Sequence, residues 1–379
     1  MLRLATQRLT PGMIVGRSII DYKGRVLLTA GQVLNARYIR RIRELKLTTV
    51  YIEEDLGIAD SMAAVSPVVI SRATKTLKNT YKACSRTGKA NLAPMQSQID
   101  NIIDDLLVNS NILIGMSDIK SHDDYTYQHS VNVCVLSIIL GISNGYNRAQ
   151  LQTLGTGALL HDIGKINIPL EILNKPGSLT DEEYMIVQKH SLDGFKIIRD
   201  SSEIPLLAAH IALEHHERVD GKGYPRSLVQ ENIHEYGLIV AVADIFDALV
   251  SDRPYRRGFS NQDAMRIVEQ NKNTQLAAKF VDMLYNHVKL YPPGTVVVLS
   301  TGDMAVVTQE NHADGHFPQV KLLFNGDQQV YNRDIIIDLA ADTDIYINSI
   351  QNPEDSEKNI CLYLSLKNGH FPHCAGGNF

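Results

Sequence analysis

The chain has 379 residues and a formal net charge of −5, a length that suits two or three domains and a balance that excludes general electrostatic attraction to nucleic acid or an anionic membrane. Four scattered cysteines, Cys84, Cys134, Cys361 and Cys374, form no CxxC pair, which favours free thiols in a reducing compartment over a disulfide framework. The first residues lack a signal-peptide core, and the longest apolar runs, Val131–Ile142 and Leu238–Val250, are too short or carry aspartate, so a cytoplasmic protein without a membrane span is expected.

Residues 1–58 read as a small α/β module: strands at Gly12–Gly16 and Arg25–Thr29, a helix capped by Asn35, and a closing strand at Thr49–Ile52. Residues 59–112 read as a helical connector. Its set Ile99, Ile102, Ile103, Leu106 and Leu107 forms an apolar stripe that serves as ordinary core or as a homodimer face. Residues 113–290 are a run of helices, with a capping box at Thr180–Glu183, Pro205 at a helix start, and Leu238–Val250 as a buried helix. Residues 291–345 change to short strands at Val296–Leu299, Ala305–Thr308, Gln319–Phe324 and Asp334–Ile337, read as a β-barrel-like module. The tail, 346–379, has little pattern. Its His370-Phe-Pro-His373-Cys374 is a weak metal signal without a second pair.

The chemistry lies in 113–290. Five stretches carry His129, His161-Asp162, His190, His215-His216 and Asp244 on successive apolar segments. Any one of them alone reads as a satisfied core or surface histidine, and that is the reading kept for His210 and His234. Asp244, in Val240-Ala-Val-Ala-Asp-Ile-Phe246, would be costly without a partner. Imidazoles and carboxylates converging from several helices are what a buried multi-metal hydrolytic site requires. Gly164 reads as a helix stop just after the His-Asp pair.

His161-Asp162, Lys165, Lys175-Pro-Gly-Ser-Leu-Thr180, His190, His215-His216-Glu-Arg218, Asp220-Gly-Lys-Gly-Tyr-Pro225 and Asp252-Arg-Pro-Tyr-Arg256 together resemble the HD-GYP family, a branch of the HD metal-dependent phosphohydrolases. The resemblance runs through roughly residues 122–275. It implies a mainly α protein: an all-helical HD-GYP domain flanked by the small N-terminal α/β module and the C-terminal β-barrel-like module. It also implies a metal centre held by His129, His161, Asp162, His190, His215, His216 and Asp244, with iron the usual ion, manganese the other, and Asp162 bridging. The implied substrate is cyclic di-GMP, opened to linear pGpG and in some members cut on to GMP.

Some members carry a glutamate one turn before the first histidine that helps to hold a third metal. Here Tyr125 stands in that place, with Asp123 and Asp124 beside it. A phenol is a poor ligand at neutral pH, so two divalent ions and pGpG as main product are expected. Within this frame Lys165 is read as a phosphate-facing cation, Arg253 and Arg256 as contacts to the second phosphate or a guanine edge, and Asp247 as orienting a ligand or the attacking water. Tyr224 can stack on guanine or pin its loop, and the Gly-Tyr-Pro loop is read as a structural and partner-contacting element. A cyclic di-GMP-responsive adaptor with little catalysis is the competing reading. An HD-domain oxygenase is a third, disfavoured by the Gly-Tyr-Pro and Arg-Pro-Tyr motifs.

Overall fold

The computed structural model describes residues 2–368 apart from 21–25, 46, 48, 54–55, 59–63, 92, 109–124, 202–203, 252–257, 310–316 and 343. In chain order come β1 (Leu2–Ala5), β2 (Ile19–Ile20), β3 (Val26–Leu28), α1 (Ala36–Glu44) and β4 (Thr49–Ile52). Helices follow: α2 (Pro67–Thr87), α3 (Ala93–Val108), α4 (Tyr125–Ser143), α5 (Arg148–Leu160), α6 (Leu170–Leu173), α7 (Asp181–Arg199), α8 (Leu206–Glu214), α9 (Glu235–Val250), α10 (Asn261–Gln270) and α11 (Ala278–His287). Then come β5 (Val296–Leu299), β6 (Met304–Gln309), β7 (Gln319–Phe324), β8 (Ile336–Asp338), β9 (Ile347–Ile350) and α12 (Pro353–Asn368). The chain divides into two compact units, one from the described residues of 1–62 and 289–379, the other from those of 63–119 and 123–288.

In the first unit, β1 pairs with β4 and β2 with β3, both antiparallel. Asn35 caps α1 as its sequence signals, accepting from the Tyr38 amide at 2.9 Å. The C-terminal strands form one antiparallel sheet in the order β8-β7-β6-β5-β9. This corrects the barrel-like expectation: the sheet is open, with β8 and β9 as its edges. Its apolar residues have no need to curl onto one another. Val296, Val306, Leu323 and Phe324 share a core with Leu4, Val15, Ile39 and Ile52 from the start of the chain and with Ile360, Tyr363 and Leu364 of α12. The tail read as patternless thus holds an edge strand and a one-faced helix. Glu357 of α12 accepts from the Ala5 amide at 2.8 Å and pairs with Arg8 at 3.1 Å.

Among the described residues, the named elements of the second unit are all helices. In α3, Ile99, Ile102, Ile103 and Leu106 are buried while Leu107 is half exposed. The stripe is ordinary core: α3 packs on α2 and α5, and a Cβ on Gly155 of α5 would stand 3.0 Å from the Ile99 side chain. The four buried residues of the stripe are thus spent inside the helical unit. Thr180 and Glu183 close the capping box that starts α7, and α9 is a helix with Asp244 and Asp247 on buried turns. Among the described residues no helix is long and apolar enough to cross a membrane.

Candidate metal centre

The His-Asp pair sits where α5 ends. His161 keeps helical angles as the C-cap, whereas Asp162 has φ −97° and ψ 6°. The backbone turns away between them, so two neighbours that a continuing helix would point about 100° apart reach one centre. The 3-10 turn Ile163–Asn167 then runs against α7. Gly164 is not the left-handed helix stop expected from sequence, since it is absent from the positive-φ glycines. Its role is close approach: a Cβ there would lie 2.0 Å from the His190 carbonyl oxygen and 2.6 Å from the Gly194 amide. That contact brings Asp162 to His190.

Three histidines are oriented in the same way. The Nδ1 of His161 lies 2.7 Å from the Ala158 carbonyl, that of His190 2.6 Å from Val187, and that of His215 2.9 Å from Ala212. A carbonyl only accepts, so each Nδ1 carries the proton and each Nε2 presents a lone pair to the interior. The His190 and His215 Nε2 atoms face one another at 3.3 Å. Two such acceptors need a proton or a metal cation between them. Burial holds both rings below the ordinary histidine value and brings His216 down to about 3, so the proton is disfavoured.

Asp162 lies among them, with Oδ1 3.5 Å from His190 Nε2 and Oδ2 3.4 Å from His161 Nε2. Although burial opposes its charge, Lys165, His161 and His190 hold its carboxyl well below the usual range. Its Oδ1 and the His161 Nε2 are buried without a hydrogen-bond partner among the described residues. Orphaned buried atoms on an ionised carboxylate and on an imidazole tied through its other nitrogen fit divalent cations.

On the other side, His129 of α4 meets α9. Its Nε2 is 3.0 Å from Asp244 Oδ1 and its Nδ1 2.6 Å from Asp247 Oδ2. Burial opposes the charged ring, but the two carboxylates outweigh this and raise its pKa well above normal. Donor atoms lie within 4.8 Å of one another in three groups: Asp162, His190, His215 and His216; His129, His161 and Asp162; and His161, His215 and Asp244. All seven histidines and aspartates read from sequence as ligands fall in these groups, and Asp162 is shared by the first two. His210 instead pairs with Glu214 at 3.3 Å, and His234 caps α9.

Lys165 meets the cluster directly, its Nζ 2.5 Å from Asp162 Oδ2 and its side chain about a quarter exposed. Tyr224 lays its ring over His216, with centroids 4.7 Å apart and planes 31° apart. Burial raises its phenol pKa far above the ordinary value, which leaves the ring rather than a phenolate to act. A cavity of about 420 Å³ opens here, lined by Tyr184, Gln188, His216, Arg218, Lys222 and Tyr224 among others.

The loop carrying Tyr224 is pinned by two carboxylates that the sequence reading passed over. Buried Glu217 accepts from the amides of Arg226 at 2.8 Å and Leu228 at 2.9 Å. Buried Glu214 accepts from the His234 amide at 2.8 Å and pairs with Arg226. A glutamate ending an apolar helix just before His215-His216, and another just after, were the available signal. Arg218 forks onto Asp220 at 3.0 and 2.8 Å. The two loop glycines divide the work: Gly221 takes φ +76°, while a Cβ on Gly223 would stand 2.4 Å from the Arg218 amide. Arg253, Arg256, Asp123, Asp124, the Tyr125 side chain and the segment His370–Cys374 lie outside the described residues.

Residues 116–279 match the family described as HD domain, and residues 296–359 the family described as KOW domain associated with HD domain. The chain is 33% identical over 340 residues to a cyclic di-GMP phosphodiesterase of Pseudomonas aeruginosa, covering 81% of each chain. It is 42% identical over 174 residues to a cyclic di-GMP phosphodiesterase of Thermotoga maritima, 46% of each. It is 33% identical over 193 residues to the 3'3'-cGAMP-specific phosphodiesterase 1 of Vibrio cholerae, 50% of this chain and 43% of that one. Among solved structures, an HDG"Y"P protein from Bdellovibrio bacteriovorus aligns with a TM-score of 0.50 at 18% identity, over 75% of this chain and 97% of that one, a likeness of fold.

Proposed function

We propose that this chain, which belongs to the HD-GYP family of HD-domain proteins, is a phosphodiesterase that opens cyclic di-GMP to linear pGpG at a dinuclear metal centre. The observation that carries the reading is the set of three imidazoles, each tied through Nδ1 to a carbonyl of its own helix, with Nε2 3.4–3.9 Å from an oxygen of ionised Asp162. Such outer ties fix tautomer and ring orientation in metal sites. Asp162, His190, His215 and His216 would hold one cation; His129, His161 and shared Asp162, with Asp244 beside them, would hold the other. Iron or manganese suits this donor set of imidazole and carboxylate. When bound, the cations supply Lewis acidity, acidifying water and offsetting the charge that builds at phosphorus.

The chain's own residues supply the rest. Lys165, paired with Asp162 and about a quarter exposed, offers an ammonium to a phosphate oxygen at the edge of the cluster. Arg253 and Arg256 are assigned to the second phosphate or a guanine edge. Asp247 keeps the proton of His129 on Nδ1. Tyr224 covers His216 and presents its face to a base, with Lys222 beside it at the cavity. Tyr125 in place of a carboxylate supports two ions rather than three, and hence pGpG as the main product.

The test uses full-length protein stripped with chelator and reloaded with Mn²⁺ or Fe²⁺, given cyclic di-GMP or 3'3'-cGAMP in parallel, with products resolved by chromatography. Metal-dependent pGpG, formed faster from cyclic di-GMP than product from the mixed dinucleotide, is the expected result. Preference for 3'3'-cGAMP would move the substrate assignment, and tight binding of cyclic di-GMP without turnover would favour the adaptor. Tyr224→Phe keeps the ring over His216 and is expected to leave turnover nearly unchanged. Tyr224→Ala, measured beside it at equal metal content, is expected to raise KM.

A further inference from the structure

Asn132 occupies an unusual place in α4. Its neighbours Val131, Val133, Cys134, Val135 and Leu136 are all buried, and asparagine is a poor residue for a helix interior. Both ends of its amide are used. Nδ2 donates to Asp247 Oδ1 at 2.9 Å, and Oδ1 accepts from Gln128 Nε2 at 3.0 Å. Gln128, one turn earlier, has its own carbonyl 3.4 Å from the Thr74 hydroxyl of α2. Asp247 is fully buried, and its other oxygen takes His129 Nδ1 at 2.6 Å and the Ser251 hydroxyl at 3.3 Å.

We propose that Asn132 is a positioning residue for the metal centre: with Gln128 behind it, it fixes Asp247 so that His129 keeps its proton on Nδ1 and turns Nε2 inward. The inference rests on the metal reading above. A carboxylate accepts equally well at either oxygen. With Oδ1 occupied by an amide that can only donate, the group is locked in one rotation and remains an acceptor toward His129. Without Asn132, a buried oxygen is left bare, and the carboxylate turns to satisfy it. The turn loosens His129. The histidines of the other group do not depend on Asp247, because His190 and His215 are tied to carbonyls of their own helices. The effect of Asn132 should therefore be selective for one of the two ions.

Full-length, chelator-treated protein is titrated with Mn²⁺, following free Mn²⁺ by electron paramagnetic resonance. Wild type is expected to take up two ions. Asn132→Leu is expected to weaken one by about 10–100-fold and leave the other unchanged. Gln128→Leu, at a half-buried position one step outward, is expected to act on the same ion with a smaller loss, and it serves if the first variant does not fold. Any result in which the loss is not confined to one ion overturns the proposal, whether both weaken together, as a packing defect would cause, or neither does. Wild type that takes up no Mn²⁺ would sink the metal reading itself. Wild type that loads two ions while both variants match it would sink the positioning role alone.

Discussion

Asp162→Asn is expected to remove turnover by about a thousandfold or more and to leave the protein folded but poor in metal. Losing a partner that only orients a ligand already costs about 10–100-fold in metal affinity or activity. Asp162 is a candidate donor in two of the three groups at once, so its charge acts on both cations. The amide is nearly isosteric, and the carboxylate it replaces has an oxygen without a hydrogen-bond partner among the described residues. Folding therefore depends on it less than metal binding does. Metal content by mass spectrometry beside product formation is the check. Wild-type turnover in the variant would remove the cluster from the chemistry.

Gly164→Ala is expected to lower stability by about 3 kcal/mol or more, at the upper end for overpacking. The added methyl would meet the His190 carbonyl oxygen and the Gly194 amide. Those are backbone atoms of α7, which cannot swing aside as a flexible side chain can. Relief requires the turn after Asp162 and α7 to separate, and this draws Asp162 from His190. A lower urea midpoint of the metal-free protein, together with weaker metal uptake, is the expected pair of results. An unchanged midpoint would mean that the turn shifts freely.

The His and Asp residues of the centre were legible because each polar group interrupts an apolar segment, where it must have a partner. Asp244 and His161-Asp162 are of this kind. Asn132 interrupts one too, yet the carboxylate that it holds, Asp247, lies 115 residues away on α9, so nothing local marked it. Glu214 and Glu217 were hidden by the histidines between them. Gly164 was read as a helix end because local sequence reports on φ, whereas its actual demand is a backbone from another helix. The open sheet was missed for a related reason. Strand alternation gives the strands, but what covers their apolar side comes from residues hundreds of positions earlier and from α12 beyond them. Inside α12, Ile360, Cys361, Tyr363 and Leu364 carry a helical stripe, short enough to pass for irregular tail.

The unit that joins residues 1–62 to 289–379 has a consequence for biosynthesis. Leu4, Val15 and Ile52 leave the ribosome long before Val296, Phe324 and Tyr363, the residues they share a core with. Residues 63–288 are made in between, and at about 5–20 residues per second this takes roughly ten to forty-five seconds. At the end of that interval the helical unit has all its own residues and can fold, while the opening strands still lack Val296, Phe324 and Tyr363, their later core partners. Termination before residue 360 would remove Ile360, Tyr363 and Leu364 from the core of the first unit while leaving every residue of the helical unit in place.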